Sequence, residues 1–233
     1  MWVFFTQVGH MQNMKNSYWL DRWAQENIGF HQSDINPYLV QYWQELRLAP
    51  DSNVFVPLCG KSRDMLWLRE QGHPVLGVEL SAIAVQAFFR ENHITPHHQI
   101  IREKLDHSEA NGISILCGDF FDLNKDDLAN MRAAYDRASL VALPPKIRKR
   151  YADHLMKILP PATQILLITF NYPQTEMLGP PFAVSPGEVE LLYHEYADVH
   201  QLAQFDVLEK NPRFQERGLS RIQESVFLLT TKS

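Results

Sequence analysis

Asn53-Val-Phe-Val-Pro-Leu-Cys-Gly-Lys-Ser-Arg-Asp64 is an apolar run that passes through one glycine into a helix-forming segment. Residues 53–58 read as a buried strand, and residues 62–71 as a helix stopped by Gly72. A second strand follows at 74–79, and a second helix at 81–92 with Ser81 as its N-cap. The alternation continues: a third strand at Ile113–Cys117, a helix at 123–131, a strand at 135–142, a helix at 146–158 and a buried strand at 164–170. Strands alternating with helices predict a doubly wound, mostly parallel α/β sheet.

Upstream, Tyr18, Trp19, Arg22 and Trp23 recur at helical spacing, which predicts a helix over 17–27 capped by Ser17 and ended by Gly29. Asn36-Pro37 opens another over 38–46. Downstream, 173–186 is rich in Pro and Gly and reads as an ordered loop, and 188–196 as a helix. Residues 205–209 and 222–230 then read as an antiparallel hairpin at a sheet edge. That layout is Rossmann-like. One domain is expected over 17–233, behind a loose extension at 1–16.

Composition narrows the partners. The chain has 233 residues, a formal net charge of −5 and 45% hydrophobic residues, so it suits a packed domain and offers no broad basic field for nucleic acid. The run Lys146-Ile-Arg-Lys-Arg150 reads as a solvated helix face. No apolar run approaches the ~20 residues of a membrane span. Cys59 and Cys117 are far apart and form no CxxC pair, so a reducing, cytoplasmic compartment is expected. They read as core residues rather than nucleophiles. Among ten histidines no HExxH or similar set appears, so no metal is expected.

The chemistry concentrates at the first strand–helix turn. Ligands of doubly wound sheets bind beyond the carboxyl ends of the strands. Gly60 lets the backbone approach a ligand. Glu79 ends the second strand nineteen residues later, near the ~20 expected of a carboxylate that holds a ribose diol. A dinucleotide site would require GxGxxG, and this turn has one glycine. A phosphate-free nucleoside such as S-adenosylmethionine fits better than NAD or ATP. Asp119 and Phe120, after the third strand, would meet the adenine; the alternative for Asp119 is an N-cap.

Seven segments carry a closer resemblance: Trp19-Leu-Asp-Arg-Trp23, Gly29-Phe-His-Gln32, Phe55-Val-Pro-Leu-Cys-Gly-Lys61, Gly77-Val-Glu79, Tyr135-Asp-Arg137, Gly179-Pro-Pro-Phe182 and Val226-Phe-Leu-Leu-Thr230. From about Ser17 to the C-terminus the chain resembles the thiopurine S-methyltransferase family. The resemblance implies methyl transfer from S-adenosylmethionine to aromatic or heterocyclic thiols, with selenium and tellurium species as further acceptors. It places cofactor contacts on Trp19, Trp23, Phe30, Leu58, Gly60, Glu79, Phe120 and Arg137. Where some members have Asp-Arg-Gly, this chain has Asp136-Arg137-Ala138, whose extra methyl would tighten the backbone there. Arg137, then Arg217, are the candidate cations for favouring a thiolate. Phe182 and its prolines would border the acceptor opening, and His31 would lie beside the pocket. The expected partner is a small acceptor met by a monomer. A non-catalytic sensor of S-adenosylmethionine is the competing class, and a nucleotide-dependent oxidoreductase a third that the glycine-poor turn disfavours.

Overall fold

A computed structural model describes residues 16–232. In chain order the elements are α1 (Asn16–Ala24), α2 (Pro37–Tyr42), β1 (Asn53–Val56), α3 (Asp64–Glu70), β2 (Val75–Glu79), α4 (Ala82–Glu91), β3 (His97–Arg102), β4 (Leu105–Ala110), β5 (Ile113–Cys117), α5 (Lys125–Leu128), β6 (Met131–Arg137), α6 (Pro145–Ile158), β7 (Gln164–Asn171), α7 (Pro186–Tyr193), β8 (Ala197–Asp206), α8 (Pro212–Glu216) and β9 (Gln223–Thr231). Short 3-10 turns occupy Trp43–Leu46, Phe120–Asp122 and Leu140–Ala142.

The strands form one sheet in the order β3-β4-β5-β2-β1-β6-β7-β9-β8. Its centre, β5-β2-β1-β6-β7, is parallel, and an antiparallel pair closes each edge. The order reverses at β1, so β1, β2 and β6 deliver their carboxyl ends to one crevice, as doubly wound sheets do. Central strands are buried on both faces: Val54, Phe55 and Val56 are all core residues. One apolar cluster lies on each side, with Phe55, Leu140 and Tyr151 in the first and Val54, Trp43 and Phe88 in the second.

Two caps form where the sequence puts them. Asn36 accepts from the N–H groups of Tyr38 and Leu39, and Ser81 from that of Ala84. Ser17 is not a cap, because α1 begins one residue earlier, and that helix ends at Ala24 rather than near Gly29. Glu26, at φ 53°, turns the chain instead. Residues 1–15, most of the expected extension, lie outside the described residues.

The hairpin of β3 and β4 has no counterpart in the sequence reading. Its outer strand is exposed at His97 through Ile101, with Ile100 70% exposed, so no buried face imposes an alternation of two. The other edge strand, β8, begins eight residues before the expected start at 205 for the same reason. The fourth strand also shifts: Met131 to Arg137 form β6, shortening the helix expected over 123–131 to Lys125–Leu128. The basic run in α6 is not a uniformly solvated face. Arg148 is 1% exposed, ion-paired with Glu188 and bonded to the Leu143 carbonyl. Among the described residues no helix is long and apolar enough to cross a membrane.

Candidate functional site

A cavity of about 350 Å³ opens over the carboxyl ends of β1, β2 and β6. Trp19, Trp23, Phe30, Leu58, Gly60, Glu79, Asp119, Phe120, Arg137 and Arg217 all line it. Residues up to 198 positions apart in sequence (19 to 217) thus share one cavity.

Its floor is the turn after β1. Leu58 and Gly60 sit at φ 44° and 54°, in the left-handed region where a side chain costs energy and glycine does not. A Cβ on Gly60 would also stand 3.2 Å from Trp23. The Cys59 N–H donates to the Val78 carbonyl and the Ser139 hydroxyl to the Pro57 carbonyl, at 2.9 and 2.7 Å. The turn is therefore tied to both neighbouring strand ends.

Glu79 completes the floor. It is buried, and its two oxygens accept from the N–H groups of Gly60 at 2.9 Å and Ser81 at 2.8 Å. Burial pushes its titration above the ordinary carboxylate range, against the pull of the Ser81, Gly60 and Leu80 N–H groups. Each oxygen has a second lone pair for a ligand hydroxyl. Burial also pushes the Cys59 thiol well up, and the Cys117 thiol up to about 11. Neither is a thiolate at neutral pH.

Asp119 is the N-cap the sequence allowed, and it stands on the cavity wall. Its side chain caps the Phe120–Asp122 turn by accepting from the Phe121 N–H, and it also accepts from Asn16 on α1 at 2.7 Å. Phe120 packs on Tyr151 with ring centres 4.7 Å apart. The aromatic cover is a three-ring cluster: Trp19 and Trp23 each meet Phe30 edge to face, at 5.5 and 5.6 Å.

Arg137 ends β6 on a rigid support. The preceding carboxylate, Asp136, is buried and accepts from the Tyr151 hydroxyl at 2.7 Å and the Leu140 N–H at 3.2 Å. It is thus bound to the fold, and no ion pair ties Arg137 to it or to another carboxylate among the described residues. The following Ala138 has φ 66°, so the chain does take there the backbone that glycine would adopt freely. Burial, then the charge of Lys61, keep His31 below the ordinary histidine range, so it is neutral at pH 7.

Three features escape the sequence reading. Phe182 does not face the opening: it is buried against Gly179, and Pro180 and Pro181 line the cavity instead. Arg22 lines it too, its Nε buried without a partner among the described residues; its position three after Trp19 was the available signal. Arg213 reaches the cavity from α8, donating to the Gly29 carbonyl at 2.7 Å. No sequence pattern ties α8 to that loop. Among the described residues no group of His, Cys, Asp or Glu is arranged to hold a metal.

The site suits an adenosyl sulfonium. The carboxylate at the end of β2 could accept from a ribose diol and the orphan Arg22 donor could meet an amino-acid carboxylate, beside a turn whose glycine lets Trp23 pack closely. The sequence model for thiopurine S-methyltransferase matches residues 14–232. The chain belongs to the thiopurine S-methyltransferase family. A thiopurine S-methyltransferase from Nitrosospira multiformis is 66% identical over 220 residues, covering 94% of this chain and all of the relative. In fold, the chain resembles a 1,6-didemethyltoxoflavin-N1-methyltransferase from Burkholderia thailandensis, solved with S-adenosylhomocysteine. The TM-score is 0.61 and the identity 14%, over 94% of this chain and 87% of the other. It also resembles an S-adenosylmethionine-dependent methyltransferase from Anabaena variabilis, with TM-score 0.61 and 14% identity over 93% and 95%. The chain is an S-adenosylmethionine-dependent methyltransferase of this family.

Proposed function

We propose that the acceptor is an aromatic or heterocyclic thiol of thiopurine type, methylated on sulfur. The observation that supports this most is Arg137, a guanidinium without an ion-pair partner among the described residues, in the same cavity as the Glu79–Gly60 floor. A fixed cation beside the acceptor sulfur favours the thiolate. Phe170 and Phe214, with ring centres 6.1 Å apart, stand with Pro180 and Pro181 on the cavity wall and offer flat apolar surface to a ring.

When bound, S-adenosylmethionine supplies an electrophilic methyl group on a sulfonium. Trp19, Trp23, Phe30, Leu58, Gly60, Glu79, Asp119, Phe120 and Arg22 would hold it, with Glu79 on the ribose hydroxyls. The chain's contribution is placement: it orients the sulfur behind the methyl, and the aromatic cover excludes water. No dedicated base is required, because heteroaromatic thiols ionise near neutral pH. Neither cysteine competes as a nucleophile.

A transfer assay with labelled cofactor against a thiopurine, thiophenol, selenite and tellurite tests the reading. Methylation of the two thiols well above the oxyanions is expected. Faster methylation of selenite or tellurite would move the assignment to selenium or tellurium chemistry. Cofactor binding with no transfer to any acceptor would make the chain a sensor.

A further inference from the structure

The charge inside the cavity opposes the charge of the chain. The whole sequence carries −5, yet the cavity is lined by Arg22, Lys61, Arg137, Arg150, Arg213 and Arg217 against two carboxylates, Glu79 and Asp119. Both carboxylates already accept backbone or Asn16 hydrogen bonds. Lys61 is neutralised by Glu91 at 2.8 Å, and Arg150 lies 3.8 Å over the Phe121 ring. Arg22 belongs to the cofactor cover on α1.

That leaves Arg137, Arg213 and Arg217. Among the described residues Arg213 meets neutral groups, donating to the Gly29 carbonyl and standing 5.0 Å from the Phe214 ring. Arg217 has the Met177 sulfur at 3.5 Å. None of the three is ion-paired among the described residues. They are close enough to repel: burial, then the charges of Arg217 and Arg137, hold Arg213 below the ordinary range of arginine. The carboxylate whose field reaches Arg213 and Arg137 is Glu224, which titrates above its ordinary range because it is buried. At Arg213 the charge of that one carboxylate stands against those of Arg217 and Arg137. The cofactor is itself a net cation and adds to the imbalance.

A methyl acceptor that ionises only at sulfur would bring one negative charge, and Arg137 alone accounts for it. We infer that Arg213, with Arg217 beside it, forms an anion-receiving subsite, and that the acceptor is an aromatic thiol carrying a second acidic group such as a ring carboxylate. The inference rests on the thiol reading above and narrows it. Guanidinium forks bind carboxylates through paired hydrogen bonds, which makes the subsite specific as well as attractive.

The test is calorimetric titration of protein loaded with S-adenosylhomocysteine, using 3-(methylthio)benzoate and its methyl ester. Methylation of 3-mercaptobenzoate, its methyl ester and thiophenol is measured in parallel. The acid is expected to bind about tenfold or more tightly than the ester, a preference that narrows with salt. In Arg213→Met the ratio of acid to ester affinity should fall to about one, and Arg213→Lys should keep part of it. The ratio cancels any general loosening from loss of the Gly29 bond. Equal affinity for acid and ester, or a ratio unchanged in Arg213→Met, overturns the subsite. Thiophenol methylated without any preference for the acid would remove the subsite and leave the thiol reading standing. A preference for the acid that depends on Arg213, with no thiol methylated, would keep the anion site and remove the thiol reading.

Discussion

The two walls of the cavity are built by different means. The wall proposed for the cofactor comes from the turns that end β1, β2 and β5, where backbone conformation and backbone hydrogen bonds fix Gly60, Glu79 and Asp119. The wall proposed for the acceptor comes from the end of β6, the loop at Pro180 and Pro181, and the five-residue helix α8. There the fixed elements are long guanidinium side chains with few partners. The first wall is a property of the parallel sheet and suits a ligand of constant shape. The second hangs on irregular segments, where side chains can change without disturbing the sheet.

Changes on one wall should leave the other largely intact. Glu79→Ala removes the floor carboxylate and frees two N–H groups, so the cofactor dissociation constant should rise about 100-fold, roughly 3 kcal/mol. An unchanged constant by calorimetry would take Glu79 out of the site. Arg137→Met should lower kcat with thiophenol by about 30-fold or more while moving the cofactor constant much less. Equal losses in both would erase the boundary between the walls.

Beneath both lies Asp136, whose carboxyl burial pushes up to about 6 from 3.8. The folded chain keeps a proton there that the unfolded chain releases, so this contribution is full below pH 3.8 and lost as pH rises through about 6. The difference is roughly 3 kcal/mol. Urea unfolding of Asp136→Asn between pH 4 and 7 should show that slope removed relative to the parent; an identical slope would place the titration elsewhere. The smallest effect is expected at Ala138. Glycine suits φ 66° better than alanine, so Ala138→Gly should raise stability by about 0.5–1 kcal/mol and Tm by about 1–4 °C. A lower Tm would mean that the alanine methyl makes packing contacts worth more than its backbone strain.

Legibility followed the same division. Gly60 and Glu79 could be found because strand, turn and strand are close in sequence and their spacing is set by the fold. Asp119 could be placed but not given one role, since capping and ligand contact ask for the same residue type. The edge strands β3 and β8 were missed or misplaced because their faces are largely exposed, and an exposed strand writes no periodic signal. Phe182 looked like an aromatic surface, yet the loop turns it into the core and presents prolines. Arg148 looked solvated in a basic run, while its pairing partner Glu188 lies forty residues away on α7.

From the residues in order one can derive the alternating sheet, the phosphate-free turn at Gly60 and the carboxylate that closes it, because each depends on neighbours within about one βαβ unit. Only the folded chain decides which guanidiniums meet. The antiparallel pairing of β8 and β9 carries α8 back over the β6 end, and no local spacing encodes a contact between Arg213 and the loop at Gly29, 184 residues earlier.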